Sequence, residues 1–318
     1  MALRVLRVPR DHVHTLLILT RHSDSYRRLI DDARLPELAI VVDRDRSTDV
    51  DVVLGEPSLI RDALSSLPAL RWVQSTWAGV EPLLDPALRR DYTLTNARGV
   101  FGGLMSEYVF GYLIAHERLI FDKRAAQQAG RWDPTPPGTL RGKQIGLLGV
   151  GSIGAALART AKHFGMRVKG YTRASEDCAD VDQYFHGDDI RPFAADLDYL
   201  VSVMPNTSAT RHLVDATLLA ALPARAVFVN PGRGTVVDEA ALADALHSGR
   251  LAGAVLDVFQ QEPLPGDHVF WGTPNVIITS HTAALSVPAD IAPVFIDNYT
   301  RWITGAGLRY QVDFERGY

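Results

Sequence analysis

Gly149, Gly151 and Gly154 stand at G-x-G-x-x-G spacing, after the apolar run Gln144-Ile-Gly-Leu-Leu148 and before the helix-forming stretch 155–164. In such a strand–turn–helix, the first glycine makes the tight turn and the second lets the backbone approach a pyrophosphate. The third lets helix and strand pack closely. The free N–H groups at the helix start, around Ser152 and Ile153, and the positive end of the helix dipole suit phosphate. Three further residues follow apolar strands of the same unit: Arg233 after 227–230, Glu262 after 255–259 and His281 after 276–280. The ends of parallel strands are where ligands collect in open α/β sheets. Each has a plainer reading when taken alone. A histidine after a strand is often a satisfied structural residue, an arginine between glycines a solvated turn, and Glu-Pro a common loop element.

The strand after the glycine turn, 166–171, runs into Thr172, Arg173, Ala174 and Ser175. An acid about 20 residues beyond the glycines normally accepts the adenosine ribose hydroxyls, and here it is absent. A guanidinium and two hydroxyls in its place suit a 2′-phosphate. The sequence thus predicts NADPH as the preferred cofactor, with NADH possible. The alternative is that Arg173 is a solvated loop residue.

Residues 1–100 alternate apolar runs (15–19, 38–42, 51–54, 70–74 and 92–95) with helical stretches at 23–33 and 58–67. That alternation predicts a parallel sheet flanked by helices. A long helix is expected over 104–121, with an apolar surface broad enough to meet two neighbours or another subunit. Prolines and Gly138 make 131–138 a loop. A second alternating unit follows, with strands near 144–149, 166–171, 198–203, 226–230, 252–257 and 275–279. Helix 238–248 is capped by Asp238 and ended by Gly249, and a last helix spans 288–303 with Ser286 as N-cap. A strand at 308–312 is expected to cross back to the first domain.

The chain has 318 residues, 47% of them hydrophobic, which predicts two domains. A net charge of -4, with no basic block, argues against a nucleic-acid or anionic-membrane surface. Cys178 is the only cysteine, so an intrachain disulfide and a multi-cysteine metal site are excluded, and no metal site is expected. The apolar run 16–19, behind Arg4, Arg7 and Arg10, is too short for an export signal, and no stretch is long enough to span a membrane. The expectation is a cytoplasmic protein.

Several segments together resemble the D-2-hydroxyacid dehydrogenase family. They are Asn230-Pro-Gly-Arg-Gly-Thr-Val-Val-Asp238, Leu251-Ala-Gly-Ala-Val-Leu-Asp-Val-Phe-Gln-Gln-Glu-Pro-Leu-Pro265 and Pro274-Asn-Val-Ile-Ile-Thr-Ser-His281. Upstream, Ser75-Thr-Trp-Ala-Gly-Val80, Asn96-Ala-Arg-Gly-Val100, Glu107-Tyr-Val and Met204-Pro-Asn-Thr207 match as well. The short segment between Glu-Pro and the histidine is similar to the glyoxylate/hydroxypyruvate reductase branch. The resemblance implies an α/β fold of two domains with a cleft between them. These are a flavodoxin-like substrate domain, residues 1–102 and 284–318, and an inserted Rossmann dinucleotide-binding domain, residues 103–283. It implies reduction of a small 2-keto acid to the D-2-hydroxy acid, with His281 as general acid, Glu262 on its other ring nitrogen and Arg233 on the substrate carboxylate. The backbone of Ala78 and Gly79 would hold that carboxylate's other face, with Trp77 shaping the pocket or plugging the domain interface. Asp257 would lie near the nicotinamide amide, and Pro205 and Asn206 near its ribose. A homodimer is expected from the apolar surface around 104–121. Two alternatives remain: a reductase of bulkier branched or aromatic keto acids, and a nucleotide-sensing binding protein without turnover.

Overall fold

The computed structural model describes residues 13–41 and 48–317. Val42, which closes the expected second strand, and Arg4, Arg7 and Arg10 lie outside the described residues. The chain divides into two compact units: unit 1 holds residues up to Val100 and from Ser286 onward, and unit 2 holds Phe101–Leu285.

Unit 1 opens with β1 (His14–Leu19), α1 (Ser23–Asp32), β2 (Leu38–Val41), β3 (Val52–Gly55), α2 (Pro57–Ala63), β4 (Trp72–Ser75) and β5 (Thr93–Thr95). The five strands pair in parallel in the order β2-β1-β3-β4-β5, the doubly wound flavodoxin-like order. Every residue of β3 and β4 is buried, as a parallel sheet covered on both faces requires. The expected helix 58–67 is shorter: α2 stops at Ala63 and a 3₁₀ turn takes Leu64–Ser66.

Unit 2 begins with α3 (Gly102–Glu117) and α4 (Ile120–Gln128). The single helix expected over 104–121 is therefore two. The chain breaks at Leu119, whose φ of 55° is left-handed. Where the ladder stops, the Glu117 carbonyl accepts the Gly138 N–H at 2.8 Å. Its carboxylate takes the Tyr199 hydroxyl and lies 3.4 Å from Lys143 Nζ. Much of the apolar surface of α3 is covered within unit 2, since Val109, Phe110 and Leu113 belong to a core with Leu157, Ala158 and Ala161.

The sheet that follows runs through β6 (Gln144–Leu148), α5 (Ser152–His163), β7 (Arg167–Tyr171), β8 (Gln183–Phe185), α6 (Arg191–Ala194) and β9 (Tyr199–Ser202). It continues with α7 (Ala216–Ala221), β10 (Val227–Asn230), α8 (Glu239–His247), β11 (Gly253–Leu256) and β12 (Val276–Ile278). The order β12-β11-β10-β9-β6-β7-β8 is parallel throughout and reverses direction at β6, the dinucleotide-fold pattern extended by one strand. The sequence showed six of these strands. The seventh, β8, has only three residues and no apolar alternation to announce it. Asp238 caps α8 by accepting the Ala241 N–H, and Gly249 beyond its end has φ +67°.

The chain then contributes α9 (Pro288–Thr304) to unit 1. Its N-cap is Val287, not Ser286; the Ser286 hydroxyl instead donates to the Thr76 carbonyl at 2.8 Å. No strand forms over 308–312. A single antiparallel bridge, Thr95↔Gln311, and hydrogen bonds from Asn96 N to Tyr310 O and from Val312 N to Leu94 O lay the tail along β5. Tyr310, at φ 59°, interrupts any longer run of extended backbone.

On α9, Phe295 stacks on Trp72 with centroids 5.2 Å apart, and Trp302 stacks on the same indole at 5.7 Å. Asn298, fully buried beside them, donates to Gln74 Oε1 (3.0 Å) and Arg309 O (3.1 Å) and accepts from Arg309 N (2.8 Å). It thereby ties helix, sheet and tail. Removing its amide leaves buried polar atoms without a partner, which costs about 1–3 kcal/mol. Asn298→Ala should lower the stability of unit 1 by about 2 kcal/mol in denaturant unfolding; a change below about 0.5 kcal/mol would contradict this role.

Candidate functional site

The glycine turn lies where the strand order reverses. Gly149 follows β6 at φ +94°, a conformation open to glycine, and its N–H donates to Tyr171 O at the end of β7 (3.0 Å). A Cβ on Gly154 would sit 2.2 Å from the Gly149 carbonyl, so only glycine lets α5 start against this turn. Gly151 is the N-cap of α5 and offers no side chain to the first helical turn. The leading N–H groups, from Ser152, Ile153 and Gly154, have no intrahelical acceptor by the geometry of a helix start. They form a cradle for an anion.

Beyond β7, Thr172 is buried and its hydroxyl donates to Ser175 O at 2.7 Å, folding 172–175 into a turn. Arg173 is exposed and forms no ion pair among the described residues. Pro205 and Asn206 lie just past β9. The Pro205 carbonyl accepts the Thr210 hydroxyl (2.7 Å), and Asn206 Oδ1 accepts the Thr235 hydroxyl (2.9 Å).

Arg233, Glu262 and His281 come from three successive strand ends of unit 2. Asn230, fully buried at the end of β10, donates to Arg233 O (3.0 Å) and accepts from Gly232 N (3.2 Å). The Phe259 backbone presses against Gly234 so closely that a Cβ there would lie 1.9 Å from the Phe259 carbonyl carbon. Contact at Gly234 thus locks the arginine turn to the segment carrying Glu262. In that segment the Phe259 N–H donates to Glu262 Oε1 (2.9 Å), leaving Oε2 for His281 Nδ1 at 2.7 Å.

His281 has φ +56°, in the left-handed region where a β-carbon is disfavoured. Asp257 holds it there. The Asp257 carbonyl accepts the His281 N–H (2.8 Å), and its carboxylate accepts the Thr279 hydroxyl (2.5 Å), the Thr282 N–H (2.9 Å) and the Ala283 N–H (2.9 Å). Asp257, 1% exposed, thus braces the histidine loop with its carboxylate. Because the Thr279 hydrogen goes to Asp257, Tyr108 Oη, 2.8 Å away, is the donor in their contact. Sequence reasoning missed Thr279 and Tyr108. Both fall inside segments that the family pattern marks, but their hydroxyls carry no spacing signal.

The electrostatics follow from this geometry. The Glu262 hydrogen bond raises the His281 pKa above its ordinary value, opposed by partial burial and by the Arg233 charge. Burial alone would raise the Glu262 carboxyl. Its hydrogen bonds from His281 and the Phe259 N–H, with the His281 and Arg233 charges, carry it below the usual carboxylate range instead. Each partner thus favours the charged form of the other. Nδ1 is taken by Glu262, and Nε2 has no partner among the described residues and is available to exchange a proton.

In unit 1, the turn after β4 is braced on its own terms. The Trp77 N–H donates to Ser75 Oγ (2.9 Å), the Ala97 N–H to Trp77 O (3.1 Å) and Asn96 Nδ2 to Ala78 O (2.8 Å). Ala78 and Gly79 are half-buried, and Trp77 is 40% exposed.

A parallel sheet with its glycine turn at the switch point defines a dinucleotide-binding protein. A histidine–carboxylate pair at its strand ends defines one of the dehydrogenase type. The family model for the D-isomer specific 2-hydroxyacid dehydrogenase, NAD binding domain, matches residues 110–283. The chain belongs to the D-isomer specific 2-hydroxyacid dehydrogenase family. It is 42% identical to a family protein from Aeromonas salmonicida subsp. salmonicida A449, whose crystal structure matches with a TM-score of 0.90 over 95% of this chain and 99% of that one. A D-isomer specific 2-hydroxyacid dehydrogenase from Xanthobacter autotrophicus Py2, solved in complex with NADPH and MES, is 31% identical, with a TM-score of 0.85 over 96% and 100% of the two chains. Glyoxylate/hydroxypyruvate reductase A of Salmonella typhimurium is 34% identical over 214 residues, 67% of this chain and 69% of that protein.

His281 should titrate by NMR above the ordinary histidine value of 6.5, because the folded state favours its charged form. Glu262→Gln should move that midpoint downward. An unchanged midpoint in the variant would show that the carboxylate does not set it.

Proposed function

We propose that this protein reduces a small 2-keto acid, glyoxylate or hydroxypyruvate first, to the D-2-hydroxy acid, with NADPH favoured over NADH. The observation that carries the reading is the His281–Glu262 pair, with Nδ1 engaged at 2.7 Å and Nε2 without a partner among the described residues. The family membership, the reductase name of the Salmonella relative and the NADPH complex of the Xanthobacter relative support it.

The residues present fit a nicotinamide dinucleotide. The cradle at Gly149, Gly151, Ser152, Ile153 and Gly154 would hold its pyrophosphate, at a turn whose Gly149 carbonyl a Cβ on Gly154 would strike. Arg173 and Ser175, on the turn that the Thr172 hydroxyl closes, would take the 2′-phosphate, and Pro205 and Asn206 would border the nicotinamide ribose. When bound in reduced form, the nicotinamide supplies the hydride that the keto carbon must receive. His281 Nε2 supplies the proton to the carbonyl oxygen, and Glu262 keeps the imidazolium charged and oriented until it does so. The Arg233 guanidinium binds the substrate carboxylate with its fork of donors. The resemblance also implies substrate contacts for the backbone N–H groups of Ala78 and Gly79 and for Trp77. Asp257 acts by fixing the histidine loop. Proton transfer and carboxylate anchoring are both provided, which favours turnover over nucleotide sensing alone.

Loss of reduced-nicotinamide absorbance should be fast with glyoxylate and hydroxypyruvate, and kcat/KM should be higher with NADPH than with NADH. His281→Ala should lower kcat by about a hundredfold or more. A preference for branched or aromatic keto acids would move the substrate to the bulkier class. A ratio favouring NADH would overturn the cofactor preference.

The proposal extends to a homodimer in the cytoplasm. Ile120 (49% exposed) and Phe121 (53%) on α4, with Trp132 (91%) just beyond it, leave an apolar surface. Phe121→Glu should convert a dimer to a monomer in sedimentation at micromolar concentration. A wild-type monomer would remove the idea. No helix among the described residues is long and apolar enough to cross a membrane.

A further inference from the structure

The turn that would meet the 2′-phosphate contains a carboxylate, Glu176, three residues past Arg173 and exposed at the tip. An acid in this region is what selects the unphosphorylated ribose, because it accepts the hydroxyls and repels a phosphate. The structure shows where this one is held. His186, at the end of β8, reaches across to the turn. Its Nδ1 lies 2.9 Å from the Thr172 carbonyl and its Nε2 lies 2.9 Å from Glu176 Oε1. A carbonyl and a carboxylate can only accept, so both ring nitrogens must donate, and the ring that fits this geometry is the imidazolium. Thr172 Oγ1, 3.1 Å from Nδ1, gives its own hydrogen to Ser175 O and does not supply the missing proton. The ring lies parallel to Tyr184, with centroids 6.3 Å apart, and Ser175 Oγ donates to Asp177 Oδ2 at 2.9 Å.

We infer that His186 is a specificity-determining positioning residue for the cofactor: as a cation it pins the Thr172 turn and sequesters the Glu176 carboxylate, so that Arg173 meets the 2′-phosphate without a competing anion. The inference rests on the NADPH reading given above and deepens it. Two interactions act in the same direction. The bond to Thr172 O fixes the residue whose hydroxyl closes the turn, and the bond to Glu176 neutralises the one carboxylate of the turn that lies within reach of the ring. The hydrogen bonds to Glu176 and Thr172 also hold the His186 pKa above its ordinary value, in keeping with the charged form. β8 pairs with Lys169, Gly170 and Tyr171 and carries His186 to the level of Thr172.

The test is a binding cycle on the full-length protein, with Kd for NADPH and NADH read from cofactor fluorescence in the absence of substrate. Wild type should bind NADPH more tightly. His186→Ala should raise the Kd for NADPH about tenfold and that for NADH less than about twofold, as expected for one charge-assisted contact and one freed carboxylate. Adding Glu176→Gln to His186→Ala should restore most of the NADPH affinity, which a purely structural role for the histidine would not allow. His186→Gln, which keeps a donor for Thr172 but no charge, should lose NADPH affinity as His186→Ala does and covers the case in which the alanine variant is unstable. Equal loss for both cofactors, or no rescue by Glu176→Gln, would overturn the inference while leaving the NADPH reading intact. A wild type that binds NADH as tightly as NADPH would defeat the NADPH reading itself, whatever the variants do.

Discussion

One buried carboxylate organises the chemistry of unit 2. Asp257 takes the His281 N–H on its carbonyl and the Thr279, Thr282 and Ala283 donors on its side chain, so a single residue at the end of β11 shapes the whole loop after β12. That bracket offsets the cost of a histidine in the left-handed region, of the order of 1–3 kcal/mol. A histidine held so firmly has one ring nitrogen directed to Glu262 and the other without a partner among the described residues. The His281–Glu262 pair is therefore a consequence of loop geometry fixed a strand away.

Close backbone approach plays the same part elsewhere in the sheet. Gly234 against Phe259 couples the arginine turn to the glutamate segment, and Gly154 against Gly149 starts α5 where its N–H groups can meet phosphate. At both places a side chain would separate elements that must touch. Parallel strands bring their C-terminal ends to one edge, so residues distant in sequence gather there without any local signal.

Much of this was legible in the sequence because glycines and strand ends leave a pattern. The G-x-G-x-x-G turn, the alternation of strands and helices, and the order of Arg233, Glu262 and His281 could be read directly. Other features could not. The break at Leu119 has neither glycine nor proline to mark it; it becomes visible only when the Glu117 carbonyl is seen to accept from Gly138. Ser286 looked like a helix cap because its type suits one, but a tertiary acceptor, the Thr76 carbonyl, takes its hydroxyl. The loop bracket that Asp257 forms had no local signal, and His186 read as an ordinary loop residue until its two acceptors were in view. In each case a long-range hydrogen bond overrode a sound local expectation.

The central claim, that His281 tuned by Glu262 supplies the proton, is tested most directly by pH profiles of kcat/KM for reduction and oxidation in the same protein. A folded-state pKa raised above its ordinary value keeps the imidazolium present to higher pH than in a free histidine. Reduction should be flat at low pH and fall as pH rises through the His281 pKa, oxidation should rise through the same midpoint, and Glu262→Gln should shift both midpoints downward. Profiles flat through this range, or midpoints that Glu262→Gln leaves in place, would contradict the account.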